Sequence, residues 1–246
     1  MTSRSGLRET KAPVRTGDVR WKRLYRIGAV AVLVTVAFYL TELVVLSLGG
    51  RSFPSTINDW FALFAESRLL GLLYLNALDM LSIALMGPMF LALYMALRQA
   101  DEAWMTVGLF FGLIGIPIFI APRSITLNVL TLSDRFAAAT TDVQRTQIMT
   151  VGESVALGSP TTQTVGFLFI ATAVFIISLV LLRSTIFGKV TAYVGLLASS
   201  ITFIGFITML VAPSIAGVFV VLSMLPWLVW WLLIARGLWQ LGRVDG

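Results

Sequence analysis

The chain has 246 residues, 58% of them hydrophobic and 12% charged, with a formal net charge of +6 and a mean hydropathy of +0.91. Soluble domains run near roughly 45–50% apolar and 25% charged, and disordered chains are poorer still in apolar residues, so both classes are excluded. Histidine and cysteine are absent, which removes histidine-held haem, histidine-rich zinc sites, serine–histidine dyads, iron–sulfur ligation and thiol chemistry.

An integral membrane protein remains. Apolar runs with no period-2 alternation predict an all-α bundle of six transmembrane helices, because lipid offers no partner to an open backbone. A basic tail, residues 1–26, comes first. Span one then runs from Ile27 to about Leu48 and stops at Gly49-Gly50-Arg51, too long an apolar stretch for a cleaved signal. In the loop 51–68, Asn58-Asp59 reads as an N-cap before Trp60, Phe61, Leu63 and Phe64, a turn expected in the outer interface. Span two covers Leu69 to Leu97, and span three Ala103 to Ala121, ending at Pro122-Arg123. Pro88 in span two and Pro226 in span six read as kinks.

The outer loop, 122–164, is the largest polar piece. Thr141-Asp142-Val143-Gln144 matches a capping box, Gly158 and Pro160 read as a stop, and Val143, Ile148, Val151 and Val155 predict one apolar stripe. That helix is expected to lie as a lid on the bundle. Span four is Val165 to Leu182, span five Val190 to Ala212 and span six Ile215 to Ala235, so that the transmembrane domain occupies 27–236 and a tail 237–246. No internal repeat supports inverted halves.

Six crossings put thirteen of the eighteen basic residues on the side of the termini, among them Arg4, Arg8, Lys11, Arg15, Arg20, Lys22, Arg23 and Arg26 of the tail. Five fall on the other side. The positive-inside rule therefore predicts cytoplasmic termini. Trp21, Trp104 and Trp239 mark the inner boundary and Trp60 the outer one. The tail is expected to meet anionic lipid, at about 1 kcal/mol per basic residue near the surface, rather than nucleic acid.

Only Glu42 and Asp79 are acids inside predicted spans. By helical rise Glu42 lies about 9 Å from the outer end of span one, and Asp79 about 15 Å into span two, near the midplane, with Asn76 on the same helix face. A carboxylate in hydrocarbon costs at least about 2.5–3.5 kcal/mol, so these groups are expected to face the interior. There they form either a ligand site or ion pathway or simply interhelical hydrogen bonds. Arg68 and Arg123 are outer-mouth charges, able to pair with Glu42 but expected to snorkel to the interface. Gly108, Gly112 and Gly115 read as a helix-packing stripe, within the bundle or in a homo-oligomer, and Trp227, Trp230 and Trp231 as packing aromatics. No phosphate-binding loop, paired-carboxylate motif or metal-ligand spacing is present, and no cofactor is expected.

Five segments carry a resemblance: Leu24-Tyr25-Arg26-Ile27-Gly28; Leu93-Tyr94-Met95-Ala96-Leu97-Arg98; Leu132-Ser133-Asp134-Arg135-Phe136-Ala137-Ala138-Ala139-Thr140; Phe187-Gly188-Lys189-Val190; and Ile234-Ala235-Arg236-Gly237-Leu238. In order and spacing the chain resembles the bacterial six-span membrane proteins of domain-of-unknown-function family 4386, over about residues 22–242. The resemblance implies the six-span fold and a bacterial inner-membrane location, but no activity and no catalytic residues. The leading expectation is a non-enzymatic accessory or ligand-sensing membrane component, alone or in a larger membrane complex. The alternatives are a small proton- or cation-coupled transporter or channel using Asp79, and an intramembrane lipid-modifying enzyme.

Overall fold

The computed structural model describes residues 19–48, 53–157 and 160–243, and every regular element among them is helical. A 3-10 turn, Val19–Trp21, leads into α1 (Lys22–Leu48). Then follow α2 (Ile57–Glu66), α3 (Arg68–Tyr74), α4 (Ala77–Leu97), α5 (Glu102–Thr126), α6 (Asn128–Ala138), α7 (Asp142–Leu157), α8 (Pro160–Arg183), α9 (Lys189–Val211) and α10 (Pro213–Arg243). The tail through residue 18, the Gly49-Gly50-Arg51 stop, the Gly158 stop and residues 244–246 lie outside the described residues.

Six helices, α1, α4, α5, α8, α9 and α10, are long and apolar enough to cross a membrane. Each packs on the next in that order and α10 returns to α1, closing a ring. Its interior is filled by side chains with no exposed surface, among them Met89, Phe90, Leu93, Ile177 and Trp230. Lipid is as apolar as these side chains, so close packing and buried hydrogen bonds hold the ring rather than the hydrophobic effect. Thr35 Oγ1 donates to Ser82 O at 3.2 Å between α1 and α4. Trp227 Nε1 donates to Thr202 Oγ1 at 3.1 Å between α10 and α9. The first turns of α1 meet the last of α10 where Arg26 Nε donates to Gly242 O at 2.9 Å. That end of the bundle is the terminal end, and the opposite one the loop end.

Of the boundaries that differ from the sequence expectation, three matter most. Pro122-Arg123 does not end span three: α5 runs on to Thr126 with Pro117 and Pro122 inside it. Proline removes one amide donor, and here the helix accommodates that loss. Span six does not end at Ala235 either, because Leu238 is fully buried and Gly242 lies against Arg26, so α10 continues to Arg243. Span two is the third, and it shapes the site described below.

Small residues set the closest contacts. A Cβ on Gly115 would stand 2.9 Å from Ile170 Cγ1 and 3.0 Å from Gly166 O, both on α8. Gly108 also faces α8, through Ile177, whereas Gly112 receives the Phe90 ring of α4. Trp227, Trp230 and Trp231 are buried in the same core.

At the loop end the two long loops share a second core, made by Ile57, Phe61 and Phe64 of α2, Tyr74 of α3, and Val129 and Leu132 of α6. The cap of α2 is Thr56, two residues before the expected Asn58-Asp59. Its hydroxyl accepts from Asp59 N at 3.2 Å, and the Asp59 carboxylate accepts from Thr56 N at 2.9 Å. Hydrogen bonds from Thr56, its backbone N foremost, and from Ser55 hold the Asp59 carboxyl below its ordinary range. Trp60, expected at the outer boundary, is buried in this core. On α7, Thr141 Oγ1 accepts from Gln144 N at 3.3 Å as expected of a cap, but Gln144 Oε1 accepts from Thr140 N at 3.2 Å and not from Thr141 N, so the box is not closed on Thr141 itself. The expected stripe, however, is split. Ile148 and Val155 pack on the second core, whereas Val143 and Val151 are exposed.

Gly115→Ala should lower the free energy of reversible unfolding in mixed micelles by about 1–3 kcal/mol through overpacking. Gly217→Ala, where a Cβ meets nothing within 4 Å, should leave it unchanged or slightly raised.

Candidate functional site

The site begins with a broken helix. Between α3 and α4 the backbone of Asn76 takes the left-handed conformation, φ 56° and ψ 43°, which asparagine tolerates better than most residues. Span two is therefore two helices. Asn76 is the N-cap of α4 rather than a member of Asp79's helical face, and Asp79 lies in the first turn of α4. Its depth is about 3 Å of helical rise from that end, not the 15 Å expected of an unbroken span.

The break leaves the first amides of α4 available to an outside acceptor, where the helix dipole favours negative charge. Glu42, on α1, supplies it: Oε1 accepts from Asp79 N at 3.0 Å. The Asn76 carbonyl accepts from Asp79 N at 3.2 Å and Met80 N at 3.4 Å, and also from Arg123 Nη1 at 3.4 Å. Arg123 reaches over from α5, its Nη1 lying 2.7 Å from Asp79 Oδ2. The guanidinium carbon sits 4.5 Å from the centroid of the Phe119 ring, one helical turn earlier. Glu42, Asp79, Asn76 and Arg123 thus form one clasp joining α1, α4 and α5 at the loop end.

The Arg123 side chain keeps only 11% of its surface exposed, so it is a buried ion-pair partner and not a snorkelling arginine. Its partner is Asp79 and not Glu42, the pairing the sequence left open, because the break turns the Asp79 carboxylate toward α5 while its amide holds Glu42. By exposed surface Glu42 is buried and Asp79 half-buried. Arg68 stands apart on α3, in the cap that α2, α3, α6 and α7 form around the second core at the loop end, and is paired with Asp134 at 2.7 Å. Both partners are more than half exposed, and such pairs contribute about 0–1 kcal/mol. Among the described residues, no three acidic side chains gather as a metal site.

Beside the clasp lies a cavity of about 280 Å³ between α5, α8, α9 and α10. Phe167, Ile201, Phe206, Met209 and Phe219 form much of its wall, and Arg123 is its charged residue. Sequence reasoning found the members of the clasp but missed Phe119, Asp134 and the cavity. Apolar positions on four separate helices carry no local pattern that announces a gap between them.

The family model described as "Domain of unknown function (DUF4386)" matches residues 27–239, a range that includes most of every span. The chain belongs to this family. Neither a curated protein nor a solved structure matches it. In this DUF4386 protein the clasp residues all fall inside the matched range.

Asn76→Gly should leave stability within about 0.5 kcal/mol of wild type, whereas Asn76→Leu should cost about 1–2 kcal/mol for the left-handed backbone. Reversible unfolding in mixed micelles checks both.

Proposed function

We propose that this DUF4386 protein is a non-enzymatic, ligand-sensing component of the bacterial cytoplasmic membrane, with both termini in the cytoplasm. The orientation rests on the excess of basic residues on the terminal side, and the tail is read as an anchor to anionic lipid. One observation carries the functional reading: Arg123 belongs at once to a clasp that ties three helices and to the wall of an apolar cavity. A molecule in that cavity touches the residue on which the joint between ring and cap depends. The clasp also makes contact with the cap's surroundings, since Val45, one turn beyond Glu42, packs on the second core.

Transport through Asp79 has less support. One turn further in, Ser82 and Thr35 add polar atoms, but the next buried residues of α4 are Ile83, Met86, Met89 and Phe90. A relay needs polar groups or water in continuous reach. Lipid-modifying catalysis calls for acids lining a wet cavity, whereas this cavity is lined by Arg123 and neither Glu42 nor Asp79.

Proteoliposomes carrying the wild-type chain should pass protons and monovalent cations no faster than protein-free vesicles, and Asp79→Asn should change nothing. A pH-dependent flux that vanishes in Asp79→Asn would overturn this reading in favour of coupled transport.

A further inference from the structure

We propose that the cavity between α5, α8, α9 and α10 binds one apolar chain ending in an uncharged hydrogen-bond acceptor, an ester or ketone carbonyl seated against Arg123. The inference rests on the ligand-sensing reading and names its ligand. Size limits the occupant first. At about 280 Å³ the cavity falls at the lower end of small-molecule pockets, roughly 300–1,000 Å³, which suits a single chain and not a two-tailed lipid. The apolar wall by itself selects weakly, because a chain arriving from lipid leaves surroundings just as apolar. Selectivity must come from a polar contact.

The hydroxyls in the wall already have partners. Thr202 Oγ1 donates to Ala198 O at 3.0 Å and accepts from Trp227 Nε1, and Ser223 Oγ donates to Val220 O at 2.8 Å. Arg123 Nε differs: it is buried and has no hydrogen-bond partner, while Nη1 is engaged by Asp79 and Asn76. A buried donor left unmade is costly, and an acceptor carried in by the ligand removes that cost. Charge decides which acceptor. One guanidinium faces two carboxylates, Glu42 and Asp79, so a further carboxylate or phosphate meets repulsion in a low-dielectric setting, and a neutral carbonyl does not.

Trp227 lies 5.2 Å, ring to ring, from Phe167 of the wall, so a dibrominated acyl methyl ester bound in the cavity should quench its fluorescence. With the full chain in detergent micelles, methyl decanoate should displace the quencher, and decane and decanoate should each do so about tenfold or more weakly. Arg123→Lys keeps a cation for Asp79 but has no Nε, so it should weaken methyl decanoate about tenfold and leave decane unchanged. Ala216→Phe places a ring in the cavity and should abolish the displaceable quenching, with an unfolding midpoint near wild type showing that the fold is kept. In nanodiscs, weaker displacement in ester-linked than in ether-linked phospholipid identifies a bilayer acyl ester as occupant, and equal displacement identifies a free molecule. Either result needs the cavity to hold an ester. Decanoate matching the methyl ester, or Ala216→Phe binding as wild type does, would overturn the proposal. Ester binding lost with no ion flux sinks this inference alone, whereas flux dependent on Asp79 sinks the reading beneath it.

Discussion

A guanidinium held away from water at the rim of a membrane bundle needs partners, and Arg123 organises the loop end by collecting them. Leaving one member of a buried pair alone costs several kcal/mol, far more than a pair at the surface contributes. The arginine is therefore met by the Asp79 carboxylate, the Asn76 carbonyl and the Phe119 ring face. Two of those partners exist in place only because the chain breaks at Asn76. An unbroken span would direct the Asn76 carbonyl into its own helix and Asp79 into the depth of the ring.

The same break couples two parts of the molecule. Upstream of it, α3 belongs to the cap, with Tyr74 and Leu75 in the second core. Downstream, α4 is a wall of the ring. Glu42 on the α4 amide and Arg123 on its carboxylate fix where the cap meets the ring, and the cavity adjoins that joint. The terminal end is tied differently. There Arg183 Nη1 reaches Asp101 Oδ2 at 3.2 Å, a pair whose arginine is mostly exposed, while glycine contacts such as Gly115 on Gly166 bring α5 and α8 together along their length.

The six crossings were legible because lipid imposes length and apolarity on every span, and those are properties of composition within a window. Glu42, Asp79, Asn76 and Arg123 were each visible for the same reason: polar groups stand out where hydrocarbon is expected. Their pairing was not legible. Leu75-Asn76 has neither glycine nor proline to mark a break, and the only signal is asparagine's tolerance of a left-handed backbone. The arginine's partner depends on that break, so the expected snorkelling of Arg123 and the expected midplane depth of Asp79 failed together. Pro122 misled in the opposite direction, since a proline in a helix can lose one hydrogen bond without ending it. The shared core of the two loops was hidden by their separation in sequence: Phe61 and Phe136 stack at 5.0 Å across a distance of 75 positions.

The account's central claim is that Arg123 and Asp79 hold each other, and a double-mutant cycle measures it. With Arg123→Gln, Asp79→Asn and the double variant unfolded reversibly in mixed micelles, the predicted coupling energy is about 1–3 kcal/mol, each single change costing more alone than in the other's presence. Costs that add to within about 0.5 kcal/mol would contradict the clasp.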